Sequence, residues 1–381
     1  MKSWIPIAGG AAAAAALGAV ATELAARAWI TKRGKYYTWH PHHKFDVHLD
    51  PEGLPWLPSV ARWRINSAGE RGQEPPKDWS DTARILVGGG SSSECYFIDQ
   101  PSIWSEVLSA ELNKPGVAQA FGASKVHVGN VSRSLTPSED LATMFDKILP
   151  NYERLDVAML FTGCSDVVQW MGLREPAEYP QADPPIQRLF GSHPEGPFGW
   201  SPGSLAIRRV ASAMKARFSS KPDVLERAGK RLAELRARRT GAAHWIEKAS
   251  DLTPMLNQYD GALRKLLRSM KAKAGRVLFI AQPWMDRDLQ GEDHERTWNF
   301  GFGQPYKEEL DTYYRFPVVC EMIHAIREKG LAVALEEGVE VYDMVHDIPC
   351  DWDHYYDSLH HTPRGNALIA KLIAARLTKK Q

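Results

Sequence analysis

An apolar run that stops abruptly in glycines and serines constrains this 381-residue sequence more than any other feature. The segment at residues 85–93 reads ILVGGGSSS. A short apolar run bounded by turn residues is typical of a buried strand in a parallel sheet. Glycine also lets other groups approach the main chain closely. We therefore predict that Ser91 follows the carboxyl end of a buried strand, where open α/β sheets bind their ligands.

Three interpretations of this turn are compatible with the residues alone. A plain strand-to-helix turn with a capping serine is common in proteins. A phosphate-binding loop is the second, although the Gly-Lys-Ser/Thr ending of a P-loop is missing. A nucleophilic Ser91 is the third, and it requires a histidine base and an acid elsewhere in the chain. The end of the chain decides between them.

The composition is that of an ordinary globular protein. Hydrophobic residues make up 44% of the chain and charged residues 24%,. The formal net charge is +1, which gives no indication of a nucleic-acid partner,. The four cysteines show no CxxC spacing, so the sequence predicts no zinc site,.

The first 31 residues are dominated by alanine and other apolar side chains. Glu23 and Arg27 are the only charged residues between positions 4 and 30. About 20 apolar residues suffice to span a bilayer. An uncleaved membrane anchor over residues 1–31 is the favoured prediction, with a cleaved signal peptide and a buried helix as alternatives. The flanking charges are nearly balanced, so they do not give the orientation.

Residues 32–80 are predicted to form a juxtamembrane lead-in segment rich in proline, tryptophan and histidine. The WHPHH segment at residues 39–43 could bind a metal. Its proline and its lack of helical spacing favour a connector instead.

From residue 81 onward, strand-like and helix-like patterns alternate. Apolar or alternating runs that indicate strands cover residues 85–90, 125–131, 155–162, 276–282 and 339–343,. Helical spacing covers residues 101–112, 138–149, 318–330 and 363–377. This alternation indicates a parallel central sheet with helices on both faces, a three-layer α/β/α fold. Residues 81–381 are therefore predicted to form one domain.

The pattern changes between about residues 172 and 274. A stretch rich in proline and glycine is followed by helical patterns, predicted at residues 205–218, 222–239 and 252–270,. We interpret this region as a helical insertion that could cover the site. The aromatic stretch at 298–314 is predicted to be a loop near the cleft.

The last segment of the chain supplies an acid and a base. Asp357 and His360 are three residues apart, so both side chains can leave one compact turn on the same side. The carboxylate could then fix the tautomer of the imidazole, whose other nitrogen would accept a proton from a serine. Parallel strands would bring this turn to the same edge as Ser91. His361 is a rival base, with a helix-entry residue as its alternative interpretation.

These segments together resemble the SGNH/GDSL hydrolase superfamily, in its membrane-anchored bacterial branch. The similarity covers about residues 60–378 without the insertion. The matching segments, in chain order, are INSAGERG at 65–72, Gly89-Gly90-Ser91 in the place of Gly-Asp-Ser, residues 130–136, GCSD at 163–166, and residues 357–366. The first and last blocks are the most specific.

The resemblance implies a flavodoxin-like fold, no cofactor and no metal. It implies that Ser91 is the nucleophile, His360 the base and Asp357 the acid that orients it. The predicted reaction is ester hydrolysis through an acyl-serine, on an ester-bearing small molecule, glycan or lipid. An O-acyltransferase acting on a cell-envelope glycan and a catalytically silent scaffold are the alternatives.

The resemblance also implies an oxyanion hole. Its donors would be the N–H of Ser91, a group of the second block at Ser134 or Leu135, and a group of the third block at Gly163 or Ser165. This sequence departs from the family in two places, because the second block has no glycine and serine replaces asparagine at 165. Losing one oxyanion donor typically costs about 10²–10³ in rate.

The anchor and the resemblance together imply a location in the bacterial inner membrane, with the catalytic domain outside the cytoplasm. Cys95 and Cys164 each lie beside a catalytic block, so they either form a disulfide or pack as free thiols. Glu94 is interpreted either as the start of a helix or as a polar neighbour of the site.

Overall fold

The central sheet is built from the apolar runs that the sequence shows. The structure is a computed structural model, and it describes residues 5–180, 186–196, 199–219, 221–289 and 291–379. Its strands are β1 Lys44–Leu49, β2 Val60–Arg64, β3 Thr82–Gly89, β4 Lys125–Asn130, β5 Leu155–Thr162, β6 Asp223–Ala228, β7 His244–Ile246, β8 Ala274–Ala281, β9 Thr312–Tyr314 and β10 Glu340–Asp343. Its helices are α1 Ile5–Arg33, α2 Ser91–Glu94, α3 Trp104–Leu112, α4 Ser138–Ile148, α5 Cys164–Gly172, α6 Ile186–Leu189, α7 Ala206–Phe218, α8 Lys230–Thr240, α9 Thr253–Lys271, α10 Phe316–Glu336 and α11 Pro363–Thr378.

Within the described residues the central sheet has the strand order β10-β8-β5-β3-β4, and every pairing in it is parallel. Helices α3 and α11 pack together, while α9 packs against both α4 and α10, so helical layers cover the sheet on both sides. The predicted three-layer α/β/α fold is confirmed. Because β4, β3 and β5 are neighbours and run the same way, the segments that follow them meet at one edge.

Strand β3 explains why its sequence reads as a continuous apolar run. Ile85, Leu86 and Val87 are all fully buried, although successive side chains of a strand point to opposite faces,. A parallel strand covered by helices on both faces requires apolar residues at every position. Burying each of these side chains stabilises the fold by about 1.5–3 kcal/mol.

The lead-in contributes strands of its own. β1 and β2 pair antiparallel, and β6 from the middle of the chain pairs parallel with β1. Phe45 of β1 and Trp63 of β2 are buried in the same hydrophobic cluster as the central sheet. This part of the chain is therefore packed onto the sheet rather than free of it.

The region that follows α5 differs in part from the prediction. Helices α7 and α9 lie where the sequence predicts them, but the single helix predicted at 222–239 is wrong. Strand β6 and helix α8 occupy that stretch, and they are separated by Gly229, whose φ of 101° interrupts a helix,. Helix α9 packs against α4, α10 and β8 and so belongs to a layer that flanks the sheet.

The N-terminal helix α1 is long and apolar enough to cross a membrane over Ala12–Arg33, judged by length and composition. One of its charged side chains is nevertheless buried. The Glu23 carboxylate accepts hydrogen bonds from Arg27 at 2.8 Å and from the backbone N–H groups of Ala206 and Ile207 at 2.8 and 3.1 Å. Those two N–H groups open helix α7, so the carboxylate caps that helix and ties α1 to the rest of the protein.

Candidate active site

The turn after β3 is built on close approaches that only glycine permits. A Cβ at Gly89 would clash with the carbonyl oxygen of Phe161 on β5. A Cβ at Gly90 would lie 2.5 Å from the hydroxyl oxygen of Ser165. These contacts bring the carboxyl ends of β3 and β5 together. Ser91 follows directly as the first residue of α2, and its side chain is partly exposed.

The structure brings Ser91, His360 and Asp357 into one hydrogen-bonded row. The hydroxyl of Ser91 lies 2.7 Å from Nε2 of His360. On the other side of the ring, Nδ1 lies 2.8 Å from Oδ2 of Asp357. An ionised carboxylate only accepts hydrogen bonds, so the ring proton sits on Nδ1 and Nε2 is free to accept the serine proton.

Asp357 is fully buried, yet its surroundings favour the ionised form. Burial raises the pKa of this carboxyl, but the imidazole of His360, the N–H of Leu359 and the more distant Arg236 outweigh it and hold the pKa below its usual value. Its Oδ1 accepts backbone N–H groups from Leu359 at 2.8 Å and from His360 at 2.9 Å. The acid is therefore fixed in position before it meets the imidazole.

Two aromatic rings hold the imidazole of His360. Tyr356 stacks on it with an interplanar angle of 10° and a centroid distance of 5.5 Å. Trp298 meets it edge-on at 5.0 Å. The backbone N–H of Trp298 donates to the hydroxyl of Ser358 at 3.1 Å, which ties its loop to the turn that carries the triad. The predicted position of this loop, near the cleft, agrees with these contacts.

His361, the rival base, makes no hydrogen bond to any member of this row. Its ring lies 4.7 Å from that of Tyr355, and neither of its nitrogens has a hydrogen-bond partner among the described residues. Burial lowers the pKa of His361 to about 3, so its ring is neutral. Its geometry is that of a packed core residue.

Three of the predicted oxyanion donors make no hydrogen bond to a described residue. They are the backbone N–H of Ser91, the backbone N–H of Leu135 and the hydroxyl of Ser165. Leu135 has φ of 54°, the left-handed conformation that favours glycine, so the turn is kept without the glycine,. Gly163 has φ of 137° and turns the chain from β5 into α5, which places Ser165 against Gly90.

The expectation for Ser134 needs correction. Its N–H donates to the Glu94 carboxylate at 2.9 Å, and its hydroxyl donates to the same oxygen. Neither donor is available to an oxyanion while that pairing persists. Burial raises the pKa of Glu94 to about 8, against the opposing effects of Arg133, Arg71 and the Ser134 N–H. Glu94 thus acts as a polar neighbour that holds the turn after β4.

Arg71 is a positioning residue to which sequence reasoning assigned no role. Its buried guanidinium donates to the carbonyl oxygens of Glu94, Cys95 and Ile98 at 2.8, 2.9 and 2.7 Å. It also lies 3.5 Å above the ring centre of Trp63. One side chain of the lead-in therefore holds the segment that follows the nucleophile. The match of residues 65–72 to a family block was the available signal.

Ser92 connects the two turns that carry the triad. Its hydroxyl donates to the carbonyl oxygen of Leu359 at 2.8 Å and accepts from Nε2 of Gln282 at 2.8 Å. The one sequence signal for this contact is weak, a polar Gln282 at the end of an apolar strand. The connection fixes the distance between Ser91 and His360.

Cys95 and Cys164 are buried free thiols, so the disulfide alternative is wrong. Burial raises the pKa of both, that of Cys95 to about 12, which keeps them protonated and unreactive,. No group of three or more histidine, cysteine or acidic residues is placed to hold a metal in the described part of the chain.

Comparison with known proteins gives matches to solved structures only. No protein family and no curated protein matches the sequence. An α/β-hydrolase enzyme from the metagenome of Lake Arreo, Spain, is 11% identical, with a TM-score of 0.41, and covers 78% of this chain and 97% of its own. An acetylxylan esterase from Geobacillus stearothermophilus is 11% identical, with a TM-score of 0.40 and coverages of 78% and 95%. A member of the lipolytic G-D-S-L family from Veillonella parvula is 11% identical, with a TM-score of 0.41 and coverages of 78% and 100%. At this identity the likeness concerns the fold alone.

Proposed function

We propose that this protein is a serine esterase of the SGNH type that cleaves its substrate through an acyl-serine intermediate. One observation carries the proposal. Ser91 Oγ, His360 Nε2, His360 Nδ1 and Asp357 Oδ2 are joined by contacts of 2.7 and 2.8 Å. The three residues come from opposite ends of the domain, and a nucleophile, a base and an orienting acid in this order are the requirements of the reaction.

The geometry supports a two-step reaction. Ser91 Oγ attacks the ester carbonyl while His360 Nε2 takes its proton, and the Asp357 carboxylate stabilises the imidazolium. The tetrahedral oxyanion accepts hydrogen bonds from the N–H groups of Ser91 and Leu135 and from the hydroxyl of Ser165. The intermediate then breaks its bond to the alcohol, which leaves with the proton from Nε2. In the second step His360 Nε2 takes a proton from water, which attacks the acyl-serine carbonyl. The proton then returns to Ser91 Oγ as the acid is released.

The acceptor of the acyl group distinguishes an esterase from an acyltransferase. Water gives hydrolysis, whereas a glycan hydroxyl gives O-acyl transfer by the same residues. A silent scaffold would not need the buried carboxylate to be oriented toward the imidazole by two backbone N–H groups. We therefore favour a catalyst over a scaffold, with an ester-bearing glycan, lipid or small molecule as its substrate.

We propose that α1 anchors the protein in a bacterial inner membrane with the catalytic domain on its outer side. The apolar composition of Ala12–Arg33 supports the anchor.

The test is reaction of the full-length protein, in detergent micelles, with a fluorophosphonate probe that labels active serines. The wild type should be labelled and should hydrolyse p-nitrophenyl acetate. In Ser91→Ala and His360→Gln, the rate of labelling and the rate of hydrolysis should each fall by about 10⁴-fold or more.

His361→Phe is the matched control. Neither nitrogen of His361 has a hydrogen-bond partner in the described part of the chain, so an apolar ring should be tolerated and labelling should persist,. Equal labelling of Ser91→Ala and wild type would contradict the proposal, as would a folded wild type that reacts with neither reagent.

A further inference from the structure

Two arginines near the triad carry buried N–H groups that have no hydrogen-bond partner among the described residues. Nε and Nη2 of Arg236, on α8, are closed off from solvent and have no hydrogen-bond partner among the described residues. The same holds for Nε and Nη2 of Arg296. Nη1 of Arg236 donates to the carbonyl oxygen of Gly53 at 2.7 Å. Buried polar groups in native proteins are normally paired, so these donors call for a partner.

The two guanidinium groups both lie near the ring of Trp56, at 6.0 and 3.7 Å from its centre, and neither forms an ion pair with a carboxylate among the described residues. Burial and the charge of Arg236 lower the pKa of Arg296 to about 10, which keeps this guanidinium protonated at neutral pH. The carboxylates that act on Arg296 are engaged elsewhere. Asp357 binds His360, and Asp293 accepts from Trp352 at 2.7 Å and from Arg287 at 2.9 Å. The pair is therefore a concentration of positive charge that an anion would stabilise.

This charge lies beside the reacting groups. Arg239, three residues after Arg236 on α8, donates to the carbonyl oxygen of Trp298 at 2.7 Å, and the ring of Trp298 lies 5.0 Å from that of His360. Tyr306, whose side chain is 42% exposed, lies 6.2 Å from Trp298, the residue that packs on His360. A ligand that reaches from the arginines to Ser91 would pass along these rings.

Aromatic rings also line the arginines themselves. Arg296 lies between Trp56 and Trp352, at 3.7 and 4.0 Å from their ring centres. Trp56 is 42% exposed, so part of its ring can face a ligand. Stacking fixes the plane of the guanidinium and leaves its edge for a carboxylate, which it can bind through two parallel hydrogen bonds. Exposed aromatic faces suit the C–H face of a sugar ring.

We propose that Arg236 and Arg296 form a subsite for the carboxylate of an acidic sugar in the ester substrate. The inference rests on the proposed esterase function and specifies its substrate as an O-acylated glycan that contains hexuronate. Binding the carboxylate would give the orphaned donors their partners and place a neighbouring O-acyl group along the aromatic wall that leads to Ser91.

The test compares matched substrates with the full-length enzyme. One is an O-acetylated oligogalacturonide, and the other is the same oligosaccharide with its carboxylates reduced to alcohols. Wild type should prefer the acidic substrate in kcat/KM by about 100-fold, since two charge-assisted contacts are gained. Arg236→Gln and Arg296→Gln should each reduce that preference about tenfold or more, mainly through a higher KM for the acidic substrate.

Arg238→Gln is the control for general charge, because Arg238 lies on the same helix and pairs with Glu309 on the surface. It should leave the preference intact. Equal kcat/KM on both substrates would overturn the subsite while the esterase stands. A stronger preference for a phosphorylated ester, or for phosphatidylglycerol vesicles, would overturn the assignment to a sugar carboxylate.

A binding measurement separates failure of the subsite from failure of the esterase. Unacetylated oligogalacturonide should bind the wild type in calorimetry and bind both arginine variants at least tenfold more weakly. If the oligosaccharide binds and its binding depends on both arginines, but the protein does not react with fluorophosphonate, the subsite is supported and the esterase function is refuted. No binding by a folded wild type would remove the subsite.

Discussion

Replacing Ser165 with alanine tests the proposed oxyanion hole most directly. The other two donors are backbone N–H groups, so this hydroxyl is the one that a substitution can delete. It lies beside the nucleophile's turn, since a Cβ at Gly90 would approach its oxygen to 2.5 Å. It makes no hydrogen bond to a described residue, so its removal leaves no protein group unpaired. The substitution should therefore act on the reaction and spare the fold.

The expected loss is in kcat. Deleting a preorganised oxyanion donor costs about 10²–10³ in kcat, which corresponds to about 2.7–4 kcal/mol. The hydroxyl of Ser165 can rotate, and the N–H groups of Ser91 and Leu135 remain. We therefore expect a smaller loss of about 10- to 100-fold, which is about 1.4–2.7 kcal/mol. KM should change little, because the donor binds the oxyanion more strongly than the substrate carbonyl.

The assay is steady-state hydrolysis of p-nitrophenyl acetate by the detergent-solubilised protein, with the Tm of each variant as the measure of folding. Ser134→Ala is the matched control, because the hydroxyl it removes is bonded to Glu94. That control should keep most of its kcat. The oxyanion assignment is wrong if Ser165→Ala retains the wild-type kcat, or if Ser134→Ala loses as much as Ser165→Ala.

Three further perturbations follow from the structure. Asp357→Asn should reduce kcat by about 10⁴ because the amide favours the wrong imidazole tautomer; fluorophosphonate labelling at an unchanged rate would contradict this. The folded-state pKa of Glu94, about 8, lies above the unfolded value of 4.5, so the folded protein binds the extra proton and its stability falls as pH rises through that interval,. Denaturant unfolding at several pH values should show this slope in wild type and a reduced one in Glu94→Gln; equal slopes would refute it. Glu23→Ala should expose the 199–207 loop to proteolysis by removing the cap of α7, whereas the exposed Glu234→Ala should not,.

The sequence was sufficient to predict the central sheet and the meeting of Ser91, Asp357 and His360 at one edge of it, because both depend on short, local patterns. Strands such as β3 are buried on both faces, so their apolar runs stand out from the rest of the chain,. The three-residue spacing of Asp357 and His360 lets both side chains leave one compact turn on the same side. Parallel strands then bring the two turns to one edge, whatever lies between them in the sequence.

The errors have a tertiary origin. The helix predicted at 222–239 fails because β6 pairs with β1, a strand from a distant part of the chain that helical periodicity cannot reveal,. Ser134 is lost as an oxyanion donor because Glu94, from the turn after β3, reaches across to it. The arginine pair is hidden for the same reason. Arg236 and Arg296 look like ordinary solvated charges until the fold buries their donors next to Asp357.

The contacts of Arg71 and Ser92 explain why an active site can be assembled from segments so far apart. The position of Ser91 relative to His360 depends on both side chains. Ser92 joins the two catalytic turns directly, through Gln282 and the carbonyl oxygen of Leu359. Arg71 holds the segment behind the nucleophile from the lead-in, through three backbone carbonyls. Because a hydrogen bond between Ser91 and His360 requires placement within a few tenths of an ångström, the proposed chemistry depends on the lead-in as well as on the three residues themselves.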